Sequence, residues 1–128
     1  MGARQVDAAI AELREAVRLD PESAEAHSYL GYALGVKGRL QESAKEFEAA
    51  VRLKPDFSEG YYYLGTALWF SGDTQGAVAA LKTAARLMPN HTDAHYYLGL
   101  ALQKGGDLAG AIGEFRAAVK LSPESVDR

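Results

Sequence analysis

Acid–base or metal chemistry in this chain would have to rest on three histidines, His27, His91 and His95. His91 and His95 stand four residues apart with Asp93 between them, the spacing at which two imidazoles share one helix face and one metal ion. The glutamate that serves as general base in an H-E-x-x-H site is missing, and His91 reads as a turn residue preceding the helix. There is no cysteine, which removes thiol catalysis, disulfides and cysteine zinc sites. No G-x-S-x-G nucleophile elbow and no phosphate loop occur. Gly31 to Gly35 and Gly110 to Gly113 are spaced glycines without the strand a nucleotide fold places before them. The expectation is a protein that is not an enzyme and holds no metal or cofactor.

The other chemistry available is recognition. Seven tyrosines and one tryptophan supply large rigid rings with polar tips, the composition of a binding surface. A net charge of −3 argues against nucleic acid as the partner, because phosphate binding needs a basic face. No run of about 18 apolar residues is present, so no membrane span is expected. No charged stretch followed by an apolar run opens the chain, so a soluble, cytoplasmic chain without a signal peptide is the expectation.

The elements that position these residues follow from a period. Pro21, Pro55, Pro89 and Pro123 stand 34 residues apart, and a fixed period of this size marks a solenoid. Leu30-Gly31, Leu64-Gly65 and Leu98-Gly99 keep the register, as do Gly38, Gly72 and Gly106. Apolar residues at three- and four-residue spacing give two amphipathic helices per unit. Gly38, Gly72 and Gly106 suit a left-handed cap between the two helices, and Asp73 and Asp107 stand ready to cap the second. Each proline stops the second helix. Gly31, Gly65 and Gly99 lie inside the first helix, which predicts close approach of a neighbouring helix. The units run 24–57, 58–91 and 92–125, preceded by a half unit over 4–23 with only a second helix and followed by a tail over 126–128. His27 and His95 then occupy equivalent places with a whole unit between them, too far apart to share a metal.

The unit resembles a tetratricopeptide repeat (TPR). Tyr61, Leu64, Gly65, Leu68, Ala77, Leu81 and Pro89 fill the family pattern, and the flanking units do likewise, with His27 and His95 at the first place and Ser43 for an alanine. The resemblance implies an all-α fold of about seven helices, a right-handed α-solenoid of stacked antiparallel helix pairs. It also implies a binding or scaffolding role. In the family the first helix of each repeat lines a concave wall. Carried onto this chain, that wall holds Glu25, Tyr29 and Tyr32, then Glu59, Tyr62, Tyr63, Thr66, Trp69 and Phe70, then Asp93, Tyr96, Tyr97 and Leu100. Two ladders emerge, one of Tyr29, Tyr63 and Tyr97 and one of Glu25, Glu59 and Asp93.

Each ladder has two readings. The tyrosines either face a ligand or wedge between adjacent helices. The acids either bind a basic, apolar peptide or complement the dipole of their own first helical turn. Tyr62, Tyr96, Trp69 and Phe70 are expected to face the groove, because other residues occupy the repeat's core places, and Tyr61 is expected in the core. The carboxylate-gripping cations of chaperone-binding relatives are absent: Ser28, Tyr32, Tyr63, Asp93 and Tyr97 stand at those places.

The ends suggest a second function. Leu108, Ile112, Phe115 and Val119 have no following helix, and Val6, Ile10, Leu13 and Val17 lack the first helix of their own unit. Either the chain belongs to a longer array or protein, or these ends pair between molecules as a homo-oligomer, with Ile10, Leu13, Leu108, Ile112 and Phe115 as the contact set. Peptide binding in the groove is the leading expectation, and assembly through the ends the alternative.

Overall fold

The computed structural model describes residues 2–121, so Pro123 and the tail over 126–128 lie outside the described residues. Seven helices and no strand occur among the described residues: α1 (Ala3–Leu19), α2 (Ala24–Val36), α3 (Leu40–Leu53), α4 (Ser58–Ser71), α5 (Thr74–Leu87), α6 (Thr92–Lys104) and α7 (Leu108–Leu121). The pairs α2–α3, α4–α5 and α6–α7 form three hairpins, and α1 packs ahead of them on α2.

The turn inside each hairpin is set by backbone geometry. Gly38, Gly72 and Gly106 take φ of +86°, +94° and +93°, a region that costs other residues dearly. The residue after each glycine donates its N–H back to Leu34, Leu68 or Leu102, at 2.9 Å in all three cases. Each glycine N–H donates in turn to the residue three before it, which completes a Schellman closure. Asp73 and Asp107 then accept the N–H of Gly76 and Gly110 at 2.9 Å, capping α5 and α7 as their sequence positions predict. Arg39 stands at the same place before α3 and makes no side-chain cap. Between hairpins, Ser23 caps α2 through the Ala26 N–H at 3.1 Å.

Within each hairpin the glycine of the first helix lets a large side chain of the second lie against its backbone. A methyl group on Gly31, Gly65 or Gly99 would sit 2.9 Å from Phe47, 2.5 Å from Leu81 or 2.6 Å from Phe115. The expected close approach is thus an intra-hairpin contact. Ser43, buried beside it, donates its hydroxyl to the Gly31 carbonyl at 2.6 Å, which satisfies a polar group in the core.

Three apolar clusters follow one another along the stack. One joins Val6 and Ile10 to Leu30, Ala33 and Leu34; the next joins Phe47 and Val51 to Leu64 and Ala67; the last joins Leu81 and Ala85 to Leu98 and Leu102. The second helices α3 and α5 are therefore each covered by the first helix of the following hairpin, and α1 by α2. The helices α2, α4 and α6 also touch one another in sequence, which makes them one wall of the solenoid.

The first cluster corrects one expectation. Ile10 is only 5 % exposed, so it offers no contact surface at the N-terminal end. Leu13 is half-buried in the same cluster. The outward side of α1 carries Arg4, Asp7, Glu12, Arg14, Glu15 and Arg18, all exposed. An ion pair from Arg14 to Glu42 (2.9 Å) and one from Lys37 to Asp7 (2.8 Å) fasten α1 to its neighbours.

Candidate binding groove

The wall formed by α2, α4 and α6 brings most of its rings into one strip. Tyr32 meets Tyr63 edge-on at 5.9 Å between centroids, with planes 80° apart. Tyr63 meets Tyr62 at 5.4 Å, and Tyr62 meets Tyr97 at 6.3 Å. Tyr97 in turn touches Phe70 at 5.9 Å and Tyr96 at 5.7 Å. The strip crosses all three helices without a gap. Offset and edge-on contacts of this kind suit the quadrupoles of the rings and hold the surface rigid.

Exposure divides the predicted set. Tyr29, Tyr32 and Phe70 are 61 %, 55 % and 60 % exposed, high values for large rings. Tyr62, Tyr63, Thr66, Trp69, Tyr96, Tyr97 and Leu100 are half-buried. Tyr62, Trp69 and Tyr97 lie against the Leu81–Leu98 cluster, and Tyr63 stacks on Phe47 at 5.4 Å. The tyrosine ladder thus splits: Tyr29 stands free, while Tyr63 and Tyr97 are wedged between helices. Tyr61 packs on the middle cluster as expected, although it is only half-buried.

Burial pushes the Tyr62 and Tyr97 hydroxyls upward from the ordinary tyrosine range, and the Asp93 charge and adjacent tyrosines add to it. Both hydroxyls therefore remain neutral donors well above physiological pH. Glu25, Glu59 and Asp93 are exposed in the first turns of their helices, and none makes an ion pair among the described residues. Sequence reasoning missed Phe47 and Phe57, which line the groove between α2 and α4 from a second helix and a turn. Phe57 stands where Ser23 and His91 stand elsewhere, and its aromatic type was the available signal.

Comparison with known proteins now bears on this geometry. The sequence pattern of the tetratricopeptide repeat matches residues 1–56 and 62–126. The chain belongs to the tetratricopeptide repeat family. No curated protein sequence matches it significantly. Among solved structures, a crystal structure of MamA is similar with a TM-score of 0.86 and 26% identity, over 96% of this chain and 72% of that one. A MamA fragment from Desulfovibrio magneticus RS-1 gives a TM-score of 0.87 at 27% identity, over 93% and 67%. YrrB, described as a TPR protein with an unusual peptide-binding site, gives 0.88 at 29% identity, over 97% of this chain and 64% of that one. The TPR is in general a non-enzymatic protein-interaction fold, and the likeness to other TPR proteins makes this chain a protein-interaction module.

The histidines serve the TPR stack. His91 Nδ1 accepts the Ala94 N–H at 2.9 Å and so caps α6, while its ring lies 4.7 Å from that of Tyr62. His95 places Nδ1 2.7 Å from Glu114 and Nε2 2.7 Å from the Pro89 carbonyl. His27 repeats the arrangement with Glu46 at 2.8 Å and the Pro21 carbonyl at 2.7 Å. Each clasp ties a first helix to its own second helix and to the preceding proline turn. A neutral imidazole can donate to only one of two acceptors. For His95, desolvation pushes the pKa down, but the Glu114 bond, the Pro89 carbonyl and the Glu114 charge outweigh it, and the net direction is upward.

The C-terminal end differs from the N-terminal one. Leu108, Ile112 and Val119 on α7 are 60 %, 51 % and 42 % exposed, with Phe115 half-buried beneath them. On α3 and α5 the corresponding face is covered by the next hairpin.

Proposed function

We propose that the protein binds a peptide segment of a partner protein in the groove formed by α2, α4 and α6. The observation that carries this reading is the exposure of Tyr29, Tyr32 and Phe70 along a wall whose remaining rings are fixed from below. Rigid aromatic rings give contact area at little entropic cost, the character of energetic anchors in interfaces. The unpaired carboxylates of Glu25, Glu59 and Asp93 favour a segment that carries basic as well as apolar side chains. The similar YrrB structure, described as a TPR protein with an unusual peptide-binding site, supports a peptide-binding reading.

Selection from a displayed random-peptide library tests it, with Tyr32→Ala/Phe70→Ala as counter-screen. These two rings are exposed, so their loss removes contact area without opening the core. A basic and apolar consensus that the double variant no longer binds is the expected result. Failure to enrich any peptide overturns the reading.

A second reading, self-association, is favoured by the uncovered α7 face alone. On that reading Ile112→Glu shifts the sedimentation coefficient to that of a monomer, while groove binding is unchanged.

A further inference from the structure

A cleft of about 430 Å³ opens between the N-terminal halves of α2 and α4. Its aromatic walls come from Tyr29, Tyr32 and Tyr63, with Phe57 closing one side, and Glu25 and Glu59 stand at its rim. The cleft exists because Ser28 is small and turns its hydroxyl back to the Glu25 carbonyl at 2.8 Å. At the equivalent place on α4 stands Tyr62, whose ring lies against His91 and Tyr97. The space left open beside α2 is thus taken up by an aromatic ring beside α4.

We propose that this cleft takes the ammonium group of a partner's lysine side chain, with the rings of Tyr29, Tyr32 and Tyr63 around it and the carboxylates of Glu25 and Glu59 at its mouth. This deepens the groove reading and rests on it for its biological meaning. Ring faces attract cations through their quadrupole, and surrounds of several rings recur where quaternary ammonium and methyl-lysine groups are recognised. The perpendicular setting of Tyr32 and Tyr63 makes a corner, which suits a compact ammonium better than a flat guanidinium that stacks on one face. The protein supplies its own precedent: Lys54 holds its ammonium 5.6 Å from the centre of the Phe57 ring.

The charge at the mouth agrees. Neither Glu25 nor Glu59 has a cationic partner among the described residues. Each helix start contributes roughly half a positive charge and each carboxylate a whole negative one, so the two carboxylates outweigh the two helix starts. The Lys54 ammonium on the Phe57 ring is the further positive charge beside the cleft. The apolar occupant has its place next door. A second cleft, lined by Val36, Leu40 and Phe70, shares Tyr32 and Tyr63 with the first and carries no charged side chain.

The test is an NMR titration of the full chain with Nα-acetyl-lysine methylamide, its Nε-trimethyl form and its neutral Nε-acetyl form. Amide shifts confined to residues near 25–32 and 57–63 are expected with both cations and absent with the neutral form. Tyr29→Ala should abolish them, and Glu25→Gln/Glu59→Gln should weaken binding about three- to ten-fold, the scale of exposed charge pairs. Equal shifts from the neutral form, or none from either cation, overturn the proposal. The peptide library separates this failure from that of the groove. Selected peptides that need Phe70 but ignore Glu25→Gln/Glu59→Gln sink the lysine site and leave the groove standing. Cation binding without any selected peptide does the reverse.

Discussion

The outer hairpins and the middle one hold the same joint by different chemistry. In α2–α3 and α6–α7 a histidine bridges a glutamate on the partner helix and a carbonyl of the preceding turn. In α4–α5 the same two places hold Tyr61 and Ala80, both packed on the cluster around Phe47 and Leu64. The backbone arrangement hardly depends on which is used. The polar clasp at His95 makes its joint depend on pH, whereas the apolar one makes its joint depend on shape. The middle hairpin also contributes the most rings to the groove, so the solenoid is most apolar where the ligand is proposed to lie.

The largest effect expected from probing this contrast is at Leu81, which is fully buried against Gly65 in the apolar joint. Leu81→Ala should lower the unfolding free energy by about 3 kcal/mol, read from urea denaturation. Phe115→Ala at the half-buried C-terminal equivalent should cost less, and an equal cost would break the contrast between the hairpins.

Next is the clasp itself. Because the His95 pKa is raised in the folded state, its stabilisation is complete below the ordinary histidine value. It is lost as pH rises through the higher folded value. The melting temperature should therefore fall on going from mildly acidic to mildly alkaline buffer. Glu114→Ala combined with His95→Tyr converts the outer joint to the middle type and should flatten that part of the profile. A profile identical to that of the parent would remove the clasp from the account.

Smaller still is the effect of groove residues on stability. Tyr29→Ala and Phe70→Ala remove exposed rings and should change the unfolding free energy by within about 0.5 kcal/mol. A cost near that of Leu81→Ala would mean that these rings hold the fold and do not await a ligand.

Most of the architecture could be read from sequence because it rests on local rules repeated in register. Gly38, Gly72 and Gly106 announce their turns by type, and Asp73 and Asp107 their caps. The groove was legible only as a set of positions. Tyr29, Tyr63 and Tyr97 occupy one place in three units, yet Tyr63 rests on Phe47, Tyr97 on Tyr62, and Tyr29 on neither of these rings. Such differences arise from neighbours on other helices, which a periodic pattern does not contain. The clasps escaped for the same reason, since His27–Glu46 and His95–Glu114 join separate helices. Ile10 belongs to the seam that α2 closes over α1, a contact that the half unit alone does not display.

Trp69 is the sole indole of the chain, half-buried at the middle of the wall and packed on the cluster that α6 completes. The molecule thereby carries an optical reporter at its centre, with Tyr62 and Tyr97 on the same cluster able to pass excitation to it. A ligand laid along the strip would displace water from the indole and move its emission to the blue. Unfolding would send the same signal to the red, so one fluorophore distinguishes an occupied solenoid from an unravelled one.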